Sequence, residues 1–120
     1  MDDEETIREL MQEMLRLMNC DVVLVEDGEE AVEAYKSAMA KQKFDLVILD
    51  WIVPGGMGGE AAISQILELD PDAKVIVSSG YSEQGALANY EQFGFVGILP
   101  KPYQIQDLKQ VLQEHLKTSN

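Results

Sequence analysis

Positive charge, cysteine and long apolar runs are what this 120-residue chain has least of. No apolar stretch approaches the ~20 residues that a bilayer-spanning helix requires, and no signal-peptide pattern opens the sequence, so no membrane partner is expected. A single cysteine, Cys20, leaves no internal disulfide and fits a reducing compartment, the cytoplasm; it reads as a small buried hydrophobe. Nine Lys and Arg stand against 22 Asp and Glu, a formal net charge of -13. That deficit excludes the basic footprint of a nucleic-acid-binding protein. The one histidine, His115, sits near the end of a helix-like segment with no kinase machinery around it. It reads as a partner for the negative helix end rather than as a phosphodonor. Repeats, low-complexity tracts and linkers are absent too, so residues 1–120 are expected to form one domain.

What is present is an alternation of helical and strand-like segments. Residues 4–18 place Ile7, Leu10, Met11, Met14, Leu15 and Met18 on one helical face, and the methionines read as core. Residues 27–40 form a second helical pattern with Asp27 as its N-cap, followed by 59–69, a weak pattern over 83–92, and 104–117. Between them lie short apolar runs: Val22 to Val25, "FDLVILD", "KVIVSSG" and "FVGIL". Continuous rather than alternating apolarity is the mark of strands covered on both faces. The fold class is therefore α/β, a doubly wound parallel sheet with helices on both faces.

In such sheets ligands bind beyond the carboxyl ends of the strands. Asp50, Ser79 and Lys101 fall at three such ends. Asp50 closes the most apolar strand, and the chain opens on Asp2-Asp3-Glu4-Glu5. Clustered carboxylates repel one another and favour a divalent cation, and Mg²⁺ suits an all-oxygen set. A carboxylate so held can attack a phosphoryl donor, while a lysine and a small hydroxyl offset the charge on the transferred group. Asp2 to Glu5 also suit the positive end of the first helix, so both roles stay open at this point.

The residues "DDEE…VILDWIVPGGMGG…VIVSSGY…ILPKPY" resemble the receiver domain of two-component response regulators, over nearly the whole chain. The glycine loop and "KPY" further resemble receivers attached to hybrid sensor histidine kinases. The resemblance implies a flavodoxin-like fold with strand order 2-1-3-4-5. It implies that Asp50 is the phosphoacceptor, Ser79 the switch hydroxyl and Lys101 the lysine of a Lys-Pro pair that is often cis. It assigns Mg²⁺ to Asp3 and Asp50 directly, to Asp2 mainly through water, and to the backbone carbonyl of Ile52. A histidine kinase is the implied phosphodonor, and the chain is implied to be no enzyme beyond its own aspartyl phosphorylation and dephosphorylation.

Two departures stand out. Ile98 occupies the position three before the lysine where receivers commonly carry an aromatic switch residue, which leaves Tyr81 or Tyr103 as candidates for the output surface. Gly80, after the switch hydroxyl, leaves more room beside Asp50 than alanine does. More seriously, only Met1 precedes Asp2, so the usual first, central strand is lacking. An untouched dry slot would cost about 1–3 kcal/mol for each unpaired backbone group. Closure is therefore expected, either by residues 22–25 pairing beside residues 45–49 or by another chain, and the exposed edges suggest a homodimer. The alternative function is a degenerate receiver-like interaction module that is not phosphorylated. Enzyme readings fit less well. A haloacid-dehalogenase-type phosphatase needs a second acid where Ile52 stands, and a flavodoxin needs a hydroxyl-rich phosphate loop where this chain has carboxylates.

Overall fold

The computed structural model describes residues 1–80, 83 and 85–116. Its elements run α1 (Glu5–Leu17), α2 (Gly28–Met39), β1 (Val47–Asp50), α3 (Gly59–Leu69), β2 (Val75–Ser79), a 3-10 turn (Tyr90–Phe93), β3 (Gly97–Pro100) and α4 (Ile105–His115). The strands form a parallel sheet in the order β1-β2-β3. β2 is central, and all its residues are buried. Strand alternation splits its side chains between two cores. Val75 and Val77 join Ala31, Tyr35, Ile63 and Ile66 from α2 and α3 on one face. Ile76 joins Met11, Met14, Leu108 and Val111 from α1 and α4 on the other. Helices thus cover both faces, as the doubly wound reading requires.

Local chemistry sets the helix ends. Asp27 accepts the Glu30 N–H at 2.9 Å and caps α2 as expected. Gln104 and Asp107 form a reciprocal capping box on α4. The loop after β1 folds back hard: Gly59 N–H donates to the Trp51 carbonyl at 3.1 Å. A Cβ on Gly58 would stand 2.5 Å from that same carbonyl oxygen. Since backbone must give way, Gly58→Ala is expected to cost about 1–3 kcal/mol in a denaturant titration. A change within a few tenths would mean that the loop relaxes freely.

Three sequence expectations need correction. Residues 22–25 are not a strand and do not pair with β1. Met1 and Asp2 lie between them instead. The Met1 ammonium donates to the Ile48 carbonyl at 2.7 Å, Asp50 N–H to the Met1 carbonyl at 3.1 Å, and Asp2 N–H to the Val25 carbonyl at 3.1 Å. Beyond Met1 the same gap continues as a groove of about 430 Å³ past Val23, Leu46 and Ile48. Val23 is 58% exposed, so the groove edges are wet, and the penalty for dry, unpaired groups does not arise. Over 83–92 the described residues form turns and then the 3-10 turn, not an α-helix. Gly85 and the left-handed Gly94 (φ 102°) bracket that segment and weaken any helix in it. The last helix stops at His115 rather than residue 117. Tyr81 lies outside the described residues.

Candidate functional site

The carboxyl ends of the strands meet at one mouth. The register sets Asp50 of β1 beside Ser78 of β2, and Ser79 beside Pro100 of β3. Lys101 follows at once, its N–H held by the Ser79 carbonyl at 2.8 Å. The Lys101–Pro102 peptide is cis. Asp50 and Ser79 are both buried, at 4% and 1% exposure.

Asp2 and Asp3 reach this mouth because Met1 and Asp2 are bonded into the gap beside β1. Carboxylate oxygens of Asp2, Asp3 and Asp50 all lie within 4.8 Å of one another. Lys101 Nζ bridges two of them, at 2.9 Å from Asp2 Oδ2 and 3.1 Å from Asp50 Oδ2. The other Asp2 oxygen accepts the Glu4 N–H at 2.9 Å. Asp2 thus lies at the entry to α1 and in the carboxylate cluster at once. Asp3 is exposed. Ile52 lies on the loop just past Asp50, 51% exposed.

The electrostatics follow from burial. Desolvation, reinforced by the Asp2 charge, pushes the Asp50 carboxyl up to about 6, with Lys101 opposing. Burial also lowers the Met1 ammonium to about 6, against the pull of Asp2 and Asp50. For Lys101 burial works against the charge, but the hydrogen bond to Asp2 and the charges of Asp50 and Asp2 outweigh it. Its pKa lies above the ordinary lysine range.

The Ser79 hydroxyl oxygen is buried with no hydrogen-bond partner among the described residues. A buried, unsatisfied hydroxyl at the mouth of a charged site is a poised donor. An all-oxygen set of three carboxylates, with Asp50 lifted by burial and then by the Asp2 charge, is likewise the chemistry that a small hard cation relieves. The residues fit Mg²⁺.

The sequence of the chain matches the family described as the response regulator receiver domain over residues 1–113. This chain belongs to that family. Such domains are signalling modules of two-component systems rather than enzymes in the ordinary sense. The receiver is 32% identical to the chemotaxis protein CheY of Listeria monocytogenes over 117 residues, covering 97% of this chain and 94% of that protein. It is also 32% identical to the transcription factor SKN7 of Candida albicans over 115 residues, 96% of this chain. It spans only 15–20% of the length of the SKN7 proteins that it matches. Among solved structures, the receiver domain of a sensor histidine kinase from Pseudomonas aeruginosa PAO1, with a magnesium ion coordinated in its active-site cleft, superposes with a TM-score of 0.83. The identity there is 25%, over 98% of this chain and 93% of that one.

Several neighbours of the site escaped the sequence reading. Arg8 Nη1 donates to the Asp2 carbonyl at 2.9 Å, fixing the acidic segment from α1. The Ser78 and Tyr103 hydroxyls share a buried hydrogen bond, and Tyr103 lies in the core rather than on the output surface expected of it. Trp51 packs against Phe93 with ring centroids 5.0 Å apart, tying the segment after Asp50 to the 3-10 turn. His115 lies at the other end of the sheet, its carbonyl holding Lys74 Nζ at 2.8 Å. Cys20 is half-buried, less enclosed than expected.

Proposed function

We propose that this receiver accepts a phosphoryl group from a histidine kinase onto Asp50 in the presence of Mg²⁺ and signals by a change of shape. An Asp50 carboxylate oxygen bonds to phosphorus while the donor's phosphorus–nitrogen bond breaks, and the imidazole leaves with that electron pair. Lys101 neutralises charge on the incoming group, and the unpartnered Ser79 hydroxyl donates to one of its oxygens. Asp3 and Asp50 directly, Asp2 through water and the Ile52 carbonyl would hold Mg²⁺, which supplies charge neutralisation of the phosphoryl oxygens. The observation that carries this reading is the meeting of three carboxylates, one bridging lysine and one orphaned hydroxyl at a single mouth.

Output is an interaction, biased when Ser79 and Lys101 are drawn to the phosphoryl group. Trp51 and Phe93 offer a route from the site to the segment before β3. We place the module, as one domain over 1–120, in the cytoplasm. A second copy of the chain, met along the edge beside β1, is its proposed homotypic partner. No helix among the described residues is long and apolar enough to cross a membrane.

Incubation with a small phosphodonor and Mg²⁺ is expected to add the mass of one phosphoryl group, and Asp50→Asn to abolish the gain. No gain in the wild type would overturn the reading and leave a receiver fold used only for binding.

A further inference from the structure

The turn after β2 holds an acid close to where phosphorylation would deliver a second anion. Gly80 N–H donates to Glu83 Oε1 at 2.9 Å. The alternation of a parallel strand indicates which way that N–H is aimed. Trp51 N–H donates to the Ser78 carbonyl at 2.9 Å, so Ser78 turns its backbone toward β1. Lys101 N–H donates to the Ser79 carbonyl at 2.8 Å, so Ser79 turns toward β3. Gly80, next in the alternation, turns back toward the β1 side, just past the end that carries Asp50. Continuing the ladder would send its N–H to the Trp51 carbonyl. That carbonyl already accepts from Gly59 N–H at 3.1 Å, and Gly80 donates to a carboxylate instead.

Backbone N–H groups at a strand end are ready donors for phosphoryl oxygens. Glu83 thus sets a carboxylate on a donor whose N–H is aimed toward the β1 side, at the carboxyl end of the sheet. We propose that Glu83 is an internal competitor: its carboxylate occupies the oxygen position on Gly80 N–H that a phosphoryl group on Asp50 would take, and phosphorylation must expel it. The proposal rests on the phosphoacceptor reading of Asp50. It also gives Gly80 a role. A Cβ there would lie 3.2 Å from Glu83 Oε2 and 3.7 Å from Oε1, so a side chain at this position crowds the carboxylate out. Glycine lets it close.

The test uses beryllofluoride with Mg²⁺ as the phosphoryl probe and Trp51 fluorescence as the readout, on the full chain. Glu83→Ala is expected to tighten beryllofluoride binding about tenfold, the worth of one charge-assisted hydrogen bond no longer broken on binding. Gly80→Ala should tighten it in the same direction. Glu83→Gln, neutral but still able to accept from Gly80 N–H, should fall between. Glu114→Gln removes a charge at the far end of α4 and should leave affinity within about twofold, since distant exposed charges are screened. The Gly80 amide resonance should move on Glu83→Ala and again when beryllofluoride binds. If the wild type binds the probe and Glu83→Ala binds no better than Glu114→Gln, the competitor role is overturned while the phosphoacceptor reading stands. If neither the wild type nor Glu83→Ala binds beryllofluoride, both readings fall.

Discussion

Asp50→Asn is expected to stabilise the protein in magnesium-free buffer at the same time as it removes phosphoacceptor activity. Burial raises the Asp50 carboxyl to about 6 from an ordinary value of 3.8. Below 3.8 the folded and unfolded chains both hold the proton, and the residue costs nothing. Between 3.8 and 6 the folded chain keeps a proton that the unfolded chain releases, so stability falls as pH rises. Above 6 the full cost of keeping an ionised carboxylate there remains, about 3 kcal/mol for a shift of this size. At pH 8 Asp50→Asn should therefore gain about 2–3 kcal/mol in a urea titration, and near pH 3.5 it should match the wild type within about 0.5 kcal/mol. The Met1 amine does not confuse the comparison at pH 8, because its own lowered value of about 6 leaves it neutral in the folded state.

Mg²⁺ should reverse the order, stabilising the wild type and not the variant. Its affinity, followed by Trp51 fluorescence, should drop about tenfold per pH unit below 6 as protons compete for Asp50. A variant less stable than the wild type at pH 8 would show that the Lys101 contact outweighs the burial cost.

Legibility in the sequence tracked how local each signal was. The Asp27 cap and the spans of α1, α2 and α3 are written within single turns. The structure reproduces those spans to within a residue at each end, although Leu10 of the expected α1 face is 44% exposed. β1, β2 and β3 read correctly because continuous apolar runs such as Val75-Ile76-Val77 have only one use in a sheet covered on both sides. Residues 22–25 carry the same β-branched composition, yet form no ladder, because strand propensity is realised only against a neighbouring strand. The end of each strand is equally readable, which is why the sequence alone sets Asp50, Ser79 and Lys101 at one edge of the sheet. The Ser78–Tyr103 pair, 25 residues apart, and the Arg8 contact to Asp2 had no sequence signal. Each depends on how the α1 and α4 layer settles on the sheet. The turn holding Glu83 has a weaker signal: residues 83–92 read as a weak helix, and nothing in the sequence marks Gly80 as the start of a turn in which a Glu three residues on caps its N–H.

Lys101→Met should produce the largest loss. Asp2 and Asp50 side chains are only 7% and 5% exposed, and both lean on Lys101 Nζ at 2.9 and 3.1 Å. Removing one partner of a buried ion pair strands the other, at a cost of about 3–5 kcal/mol, and here two carboxylates are stranded at once. Methionine keeps the apolar stem, so the loss isolates the ammonium. The penalty should be smaller at pH 5 than at pH 8. At pH 5 the Asp50 carboxyl, at about 6 with the lysine and higher without it, already holds a proton and is not a stranded charge. Added Mg²⁺ should recover part of the loss by supplying the missing positive charge, and it should bind more tightly than to the wild type. Phosphoryl uptake from a small donor should nevertheless fall at least about tenfold, because the transferring group has lost a fixed donor. In the double variant Lys101→Met, Asp50→Asn the stability cost should be well below that of Lys101→Met alone, since one of the stranded charges is gone. Equal losses at pH 5 and pH 8, with no recovery in the double variant, would locate the contribution of Lys101 in packing rather than in charge.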